Sequence, residues 1–321
     1  MDTPILFLIF NRPDVTAQVF SAIAKVKPKK MYIAADGPRS DKDGEKEKCL
    51  QTREIIDQID WDCDVKTLLR SENLGCKIAV SSAIDWFFEY VEFGIILEDD
   101  CLPSESFFSF CSEMLVRYRN DSRVVMVSGQ NYESGVQYGD GDYYFSKIMN
   151  IWGWATWRRA WCVFDSEMTS LPDFVVSGKA DSLYKNHDLK LFWVVRFVRT
   201  YLGRYNTWDY SWVYSVARIK GISIRPKVNM ITNIGDGLDA THGVDSSGKY
   251  NNMPRFELTK IKHPGSMEVS EDADEYVYRY IYDVWLNSIK NPLFRIRKIL
   301  RRRVRIKREI KKISSNKWSR K

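Results

Sequence analysis

The chain has 321 residues, of which 44% are hydrophobic and 14% aromatic, so burying a sizeable core presents no difficulty. The formal net charge is +7, but residues 293–321 alone carry fourteen Lys and Arg against one acid. The remaining 292 residues carry 35 basic and 41 acidic side chains. This segregation excludes a basic domain and indicates a tail that contacts an anionic surface.

The cysteines and the apolar run near the start of the sequence indicate the cellular compartment of the protein. The six Cys include no CxxC pair and no zinc-like spacing, which is typical of reduced thiols in a cytoplasmic protein. The apolar run at residues 5–10 follows an acid and is too short for a signal peptide or a spanning helix. We therefore expect a cytoplasmic protein.

Short apolar runs alternate with amphipathic stretches in the first half of the chain. Apolar residues recur at helical spacing in residues 79–90 and 107–118. Strands that alternate with helices predict an α/β fold, with a mainly parallel sheet flanked by helices. The predicted strands are residues 5–10, 31–35, 65–69, 94–97 and 124–127.

The alternation fades after Gly129. Residues 181–200 again have a helical pattern, and residues 222–226 form a late predicted strand. Residues 235–248 contain four Gly and three Asp, which is typical of a mobile loop that closes over a ligand. A last apolar pattern predicts a helix that ends at Asn291-Pro292, before the basic tail.

Glu98-Asp99-Asp100 follows the predicted strand at residues 94–97 directly. Ligands of open α/β sheets bind outside the carboxyl ends of the strands. Three adjacent carboxylates repel one another unless a cation or sugar hydroxyls engage them, and a hard divalent ion prefers oxygen ligands. The triplet therefore indicates a metal site with Mn²⁺ or Mg²⁺, and a solvated acidic turn is the alternative.

The segment Ile96–Phe108, Ile-Leu-Glu-Asp-Asp followed six residues later by Phe-Phe, carries a family resemblance. It resembles the metal-binding segment of the eukaryotic N-acetylglucosaminyltransferase that begins complex N-glycan synthesis, which bacterial relatives in polysaccharide loci share. The resemblance implies a GT-A, Rossmann-like fold. It also implies that Asp100 binds the metal, and that Asp99 and Glu98 contact the ribose and the donor sugar.

Residues at the ends of two further predicted strands occur in the same order along the chain as the family's donor-binding residues. Asn11-Arg12 is similar to an Asp-Arg pair whose Arg stacks near the uracil, although Asn11 replaces the Asp. Asp36, at the end of the second strand, is similar to an Asp that hydrogen-bonds the base. Taken alone, these residues would be ordinary turn residues. Their placement at successive strand ends favours donor binding by Arg12, Asn11 and Asp36.

The second half adds a donor pocket and a base. Trp152-Gly153-Trp154 resembles a Gly-Leu-Gly-Trp segment that lines the donor-sugar pocket. Trp208-Asp209 is similar to the family's Trp-Asp, whose Asp is the catalytic base. Asp173 and Asp188 are weaker alternatives for that base.

Residues 236–243 look like the flexible loop that closes over the donor, and His242 would approach the diphosphate. The alternative is that His242 is a loop residue without a functional role. The resemblance covers about residues 4–245. Its implied organisation is a nucleotide-sugar-binding half (1–130), an acceptor-binding half with the closing loop (131–265), a packing helix (266–292) and the tail (293–321).

The implied function is inverting sugar transfer. A nucleotide diphosphate donor, with UDP as the expected nucleotide, would pass its sugar to the hydroxyl of a glycan or lipid-linked acceptor in bacterial surface polysaccharide synthesis. A sugar-phosphate nucleotidylyltransferase is an alternative, but these enzymes usually have a Gly-rich loop after the first strand, where this chain has Asn11-Arg12-Pro13-Asp14. A non-catalytic glycan-binding protein is the other alternative. No GxGxxG follows a strand, which disfavours a dinucleotide oxidoreductase.

The tail predicts a membrane contact. Its isoleucines recur at helical spacing among Lys and Arg, which is the composition of a basic amphipathic helix on an anionic membrane. We therefore expect peripheral attachment to the inner face of the cytoplasmic membrane and no nucleic-acid partner. The isoleucines that follow this spacing are Ile299, Ile306, Ile310 and Ile313.

Overall fold

The computed structural model describes residues 1–133, 135–184, 187–235 and 250–282. The chain forms two compact units, the first made of Met1–Cys162 and Ile222–Val269, the second of Val163–Gly221 and the described residues from Ser270 onward. The tail at residues 293–321 lies outside the described residues. Within the described part, no helix is long and apolar enough to cross a membrane.

The first unit is built on one large sheet and a two-stranded ribbon. Its strands are β1 (Ile5–Ile9), β2 (Lys30–Ala35), β3 (Asp64–Leu69), β4 (Phe93–Glu98), β5 (Cys101–Pro103), β6 (Val124–Ser128), β7 (Tyr143–Ser146), β8 (Trp154–Trp157), β9 (Ile222–Pro226) and β10 (Ile231–Asn233). In the described chain, eight of them form a sheet in the order β3-β2-β1-β4-β8-β6-β9-β7. β5 and β10 form the ribbon.

The sheet is mainly parallel. β1 pairs in parallel with β2 and β4, β2 with β3, and β6 with β9, whereas β7 and β8 run antiparallel to their neighbours. β1 and β6 are buried along their whole length, as their continuous apolar sequences predict. The predicted α/β fold is thus confirmed. The predicted boundary after residue 130 falls inside this unit, because β8 and β9 join the same sheet.

Helices flank the sheet. They are α1 (Pro13–Val26), α2 (Glu45–Arg53), α3 (Gly75–Tyr90), α4 (Glu105–Arg117) and the short α5 (Arg158–Trp161). α1 begins with Pro in its first turn and buries Thr16, Val19, Phe20 and Ile23, which together form one face of the helix. α3 contains the helical pattern predicted at residues 79–90, and α4 contains the pattern predicted at residues 107–118 except for Tyr118, which follows its last residue.

The second unit is helical where it is described. Its helices are α6 (Leu171–Val176), α7 (His187–Tyr201), α8 (Asp209–Arg218) and α9 (Glu271–Tyr276), the last followed by a π-helical turn at Val277–Ile281. Aromatic rings form its core, and the rings of Phe192 and Tyr282 stack with centroids 4.7 Å apart. α7 matches the predicted helix at residues 181–200. α8 is a helix that the sequence patterns did not predict.

Candidate active site

The ribbon of β5 and β10 gives the acidic triplet its surroundings. β4 ends at Glu98, which is half-buried, and a two-residue turn with Asp99 and Asp100 leads into β5. Because β5 pairs with β10, the backbone N–H of Ile234 donates to the carbonyl of Asp100 at 2.9 Å. The chain that follows β10 therefore starts beside the triplet, a contact that no sequence pattern indicated.

Arg12 contacts two carboxylates of the triplet. β1 and β4 are parallel neighbours, so the residues after their carboxyl ends meet. Nε of Arg12 lies 3.3 Å from Oδ2 of Asp99, and Nη2 forms an ion pair with Oδ1 of Asp99 and, at 3.0 Å, with Oδ2 of Asp100. One guanidinium thus bridges two carboxylates. The contact brings together three of the residues that the sequence predicted for the donor and the metal.

Burial shapes the charges of this cluster. The Asp99 side chain is only 6% exposed, and burial raises its pKa to about 6, although Arg12 and the backbone N–H of Phe10 oppose the shift. Burial lowers the pKa of the Arg12 guanidinium, but the charges of Asp99 and Asp100 outweigh it, so this pKa lies above its ordinary value. Both oxygens of Asp99 face Arg12, so Asp99 anchors the guanidinium within the protein.

Asp100 is the carboxylate that fits a divalent ion. Among the described residues, no group of three or more His, Cys, Asp or Glu side chains could hold a metal. An ion that also binds phosphates needs only one or two protein carboxylates. Gly235 packs closely against this carboxylate, because a Cβ there would lie 2.4 Å from Oδ2 of Asp100. The residues fit an ion held by Asp100 and completed by phosphate oxygens.

Asp36 lies at the same edge of the sheet, but with neutral partners. Its Oδ1 accepts from the backbone N–H groups of Gly37 and Leu74, both at 3.0 Å. Its Oδ2 accepts from the backbone of Gly75 at 3.1 Å and from Nδ2 of Asn73 at 3.0 Å. The carboxylate thereby holds the loop that leads into α3. Hydrogen bonding to a base, as the resemblance implies, would have to compete with these donors.

Asn11 is held by a neighbouring ion pair. It is buried, and its Nδ2 donates to Oε1 of Glu45 at 2.9 Å. Glu45 also accepts from the backbone N–H of Arg39 at 2.6 Å and pairs with its guanidinium. Burial by itself raises the pKa of Glu45, but Arg39 outweighs it, so this pKa lies below its ordinary value. Neither Arg39 nor Glu45 had a sequence signal beyond its charge.

The Trp152-Gly153-Trp154 segment is largely internal. Trp154 begins β8, pairs with Ile96 and is 1% exposed, so its ring packs in the core. Gly153 has φ +60°, and a Cβ there would lie 2.3 Å from Cδ1 of Ile231. The glycine thus admits β10 against the sheet. Trp152 is half-buried and is the member of the segment that keeps exposed surface.

Asp209 occupies the first position of α8 in the second unit. Its Oδ1 accepts from the backbone N–H of Tyr210 at 2.8 Å and from the hydroxyl of Thr207. A carboxylate in a first helical turn interacts favourably with the helix dipole. Asp209 remains half-buried, whereas the preceding Trp208 is 2% exposed and belongs to the core. His242 lies outside the described residues.

These features define an α/β protein with a bridged acidic cluster where its sheet meets a ribbon. No protein-family model and no curated protein matches the sequence. The mannosyltransferase PcManGT from Pyrobaculum calidifontis, solved in complex with GDP-Man and Mn²⁺, is a similar structure with 15% identity and a TM-score of 0.33. The match covers 49% of this chain and 45% of that chain.

Two other solved structures are similar at comparable levels. S. aureus TarS 1-349 has 12% identity and a TM-score of 0.32, with 63% of this chain and 56% of that chain covered. Apo UDP-glucose pyrophosphorylase has 10% identity and a TM-score of 0.36, with 73% of this chain and 93% of that chain covered. This chain spans about half the length of the mannosyltransferase and of TarS. At these TM-scores the similarities assign neither a family nor an activity.

Proposed function

We propose that this chain is a GT-A glycosyltransferase that moves a sugar from a nucleotide diphosphate donor, with UDP as the nucleotide, to an acceptor hydroxyl. The observation that carries the proposal is the carboxylate pair Asp99–Asp100 bridged by Arg12 at the carboxyl ends of β4 and β1. Strand order reverses at β1, because β2 lies on one side of it and β4 on the other. Such switch points are where open α/β sheets bind ligands.

The cluster suits a diphosphate that arrives with a cation. Asp99 and Asp100 carry two carboxylates that share the guanidinium of Arg12, so this pair can accept further positive charge. A Mn²⁺ or Mg²⁺ ion at Asp100 would neutralise charge on the departing diphosphate. In place of the uracil stacking that the resemblance implies, we assign the guanidinium of Arg12 to the donor's phosphates, with Asp99 keeping it oriented.

The acceptor hydroxyl needs a base as it attacks the anomeric carbon. We assign this role to Asp209, which keeps an exposed fraction and whose carboxylate the Thr207 hydroxyl orients. Direct attack with one base inverts the anomeric configuration. The acceptor class that we propose is a glycan or a lipid-linked sugar of a bacterial surface polysaccharide.

The test is a panel of nucleotide sugars incubated with the full chain, with Mn²⁺ or with a chelator. We expect release of the nucleoside diphosphate that depends on the ion, and a product whose anomeric configuration, measured by proton NMR coupling, is opposite to the donor's. Pyrophosphate-dependent formation of a sugar 1-phosphate would instead identify a nucleotidylyltransferase. Binding of sugars without turnover of any donor would identify a glycan-binding protein.

The basic tail is the proposed anchor. Fourteen basic residues and an isoleucine stripe in residues 293–321 suit the inner face of a cytoplasmic membrane, where a lipid-linked acceptor would lie. Deletion of residues 293–321 should abolish sedimentation with anionic liposomes and keep activity on a soluble acceptor. Equal liposome binding by the truncated and full chains would refute the anchor.

A further inference from the structure

The carboxylate assigned to the divalent ion already has a cationic neighbour in the chain. Nη2 of Arg12 lies 3.0 Å from Oδ2 of Asp100, and Sγ of Cys101 lies 3.4 Å from Oδ1. Divalent ions bind carboxylate oxygens at about 2.0–2.6 Å. An ion on Oδ2 would therefore stand within a few ångströms of the guanidinium, and the two positive charges would repel each other.

Arg12 is not free to turn away from an arriving ion. Its Nε and Nη2 both face Asp99, whose side chain is 6% exposed, in the two-point geometry that fixes a guanidinium plane. Its backbone carbonyl accepts from the N–H of Thr16 at 2.9 Å and from the Thr16 hydroxyl at 2.7 Å. On the remaining side, a Cβ at Gly235 would lie 2.9 Å from Nη1. Nε and Nη2 are thus held beside Asp99 and Asp100, and Nη1 is the nitrogen that these contacts leave to donate to a phosphate.

We propose that Arg12 acts as an internal cation that competes with the divalent ion for Asp100. The free protein then binds the ion weakly, because the guanidinium already occupies Oδ2. A nucleoside diphosphate relieves the competition, because its phosphates accept hydrogen bonds from Arg12 and add negative charge beside the ion. The ion and the nucleotide therefore bind cooperatively, and Arg12 is a positioning residue that sets the strength of this coupling.

This inference rests on the proposed function, since it takes a divalent ion and a diphosphate as ligands. Its test is the affinity of the full chain for Mn²⁺ alone and for Mn²⁺ in the presence of UDP, measured from the free Mn²⁺ signal in electron paramagnetic resonance. We expect UDP to tighten Mn²⁺ binding by the wild type at least ~10-fold. Reciprocity requires Mn²⁺ to tighten UDP binding by the same factor.

Arg12→Met removes the competing charge. We expect it to tighten Mn²⁺ binding without nucleotide by roughly 10-fold, and to reduce the coupling between Mn²⁺ and UDP. Arg12→Lys keeps a charge and should resemble the wild type. Arg123→Met is the matched control, because Arg123 pairs with Asp121 just before β6, at the opposite edge of the sheet, and should leave Mn²⁺ binding unchanged. A purely structural role for Arg12 would weaken Mn²⁺ binding or leave it unchanged.

The outcomes separate the two proposals. If UDP tightens Mn²⁺ binding but Arg12→Met leaves nucleotide-free binding unchanged or weaker, the competition is refuted and the metal-dependent transferase stands. If neither the wild type nor the Arg12→Met variant binds Mn²⁺, even with UDP present, the metal of the proposed function is refuted as well. Thermal unfolding checks that the variant is folded. Arg12→Gln, which retains a donor to Asp99, replaces Arg12→Met if the latter does not fold, with the same expected and contrary results.

Discussion

Asp36 and the Asp99–Asp100 pair occupy equivalent places, because each follows a parallel strand of the same sheet at its carboxyl end. Their partners differ in kind. The carboxylate of Asp36 accepts from neutral amide donors of its own and the following loop. Asp99 and Asp100 share one guanidinium from a distant part of the chain.

On our proposal, this difference separates a structural acid, Asp36, from Asp100, which exchanges its cation. Several amide donors satisfy the hydrogen-bonding capacity of a carboxylate without changing its net charge, and they tie it to the backbone. Two carboxylates on one guanidinium leave an unbalanced negative charge, which another cation or a change of protonation can satisfy. Position at a strand end therefore selects both acids as candidates, and only their partners separate the roles.

Asp100→Ala should produce the largest effect. We expect turnover to fall by about 10⁴-fold, because the ion that neutralises the leaving diphosphate loses its protein ligand. Mn²⁺ binding in the presence of UDP should be lost as well, while the thermal unfolding profile stays close to that of the wild type. Full activity of the variant, or of chelator-treated wild type, would place Asp100 with Asp36 as a structural acid.

Asp209→Asn tests an acid whose described partners resemble those of Asp36, namely a backbone N–H and a hydroxyl. If it is the base, turnover should fall by roughly 10²–10⁴-fold while donor affinity is retained, because the diphosphate contacts lie elsewhere. Hydrolysis of the donor by water should be less affected than sugar transfer. A product that retains the donor's anomeric configuration would exclude this single-base role.

Asp36→Ala should lower the stability of the fold more than it changes the affinity for Mn²⁺. Removing the acceptor leaves several loop donors without their partner, so the free energy of unfolding in urea should fall by about 1–3 kcal/mol. Asp36→Asn, which keeps one carbonyl acceptor, should cost less. Mn²⁺ affinity should be unchanged in both variants. Unchanged stability with weakened UDP binding would instead support the base contact that the family resemblance implies.

Asp99→Asn should alter the pH dependence of stability. Because burial raises the pKa of Asp99 to about 6 in the folded state, the stability associated with its protonated form is complete below about pH 4 and is lost as the pH rises through 6. The variant lacks this titration. From pH 4 to pH 7 the wild type should therefore lose roughly 1–3 kcal/mol relative to the variant in urea unfolding. A constant difference across this range would contradict the raised pKa.

Local sequence predicted six of the ten described strands, the helices α3, α4 and α7, and the strand-end positions of the candidate residues. Continuous apolar runs such as residues 5–9 can be buried only in a sheet covered on both faces, so β1 and its neighbours were predictable. Parallel pairing then places the residues after each strand at one edge, which selects Arg12, Asp36 and the acidic triplet. These features depend on periods of a few residues, which a single sequence displays directly.

The partners of those residues were decided by the tertiary structure. Arg12 and Asp99 are 87 positions apart, and their contact requires β1 and β4 to be neighbours, which no local pattern specifies. The contact of Gly235 with Asp100 depends likewise on the pairing of β5 with β10. By its sequence context alone, Trp154 would suit a ligand pocket equally well. In the structure it lies in β8 with its side chain in the core. The order of the strands, and the side of the sheet that each residue faces, determine which charged groups come into contact. Both are set by the packing of the whole unit.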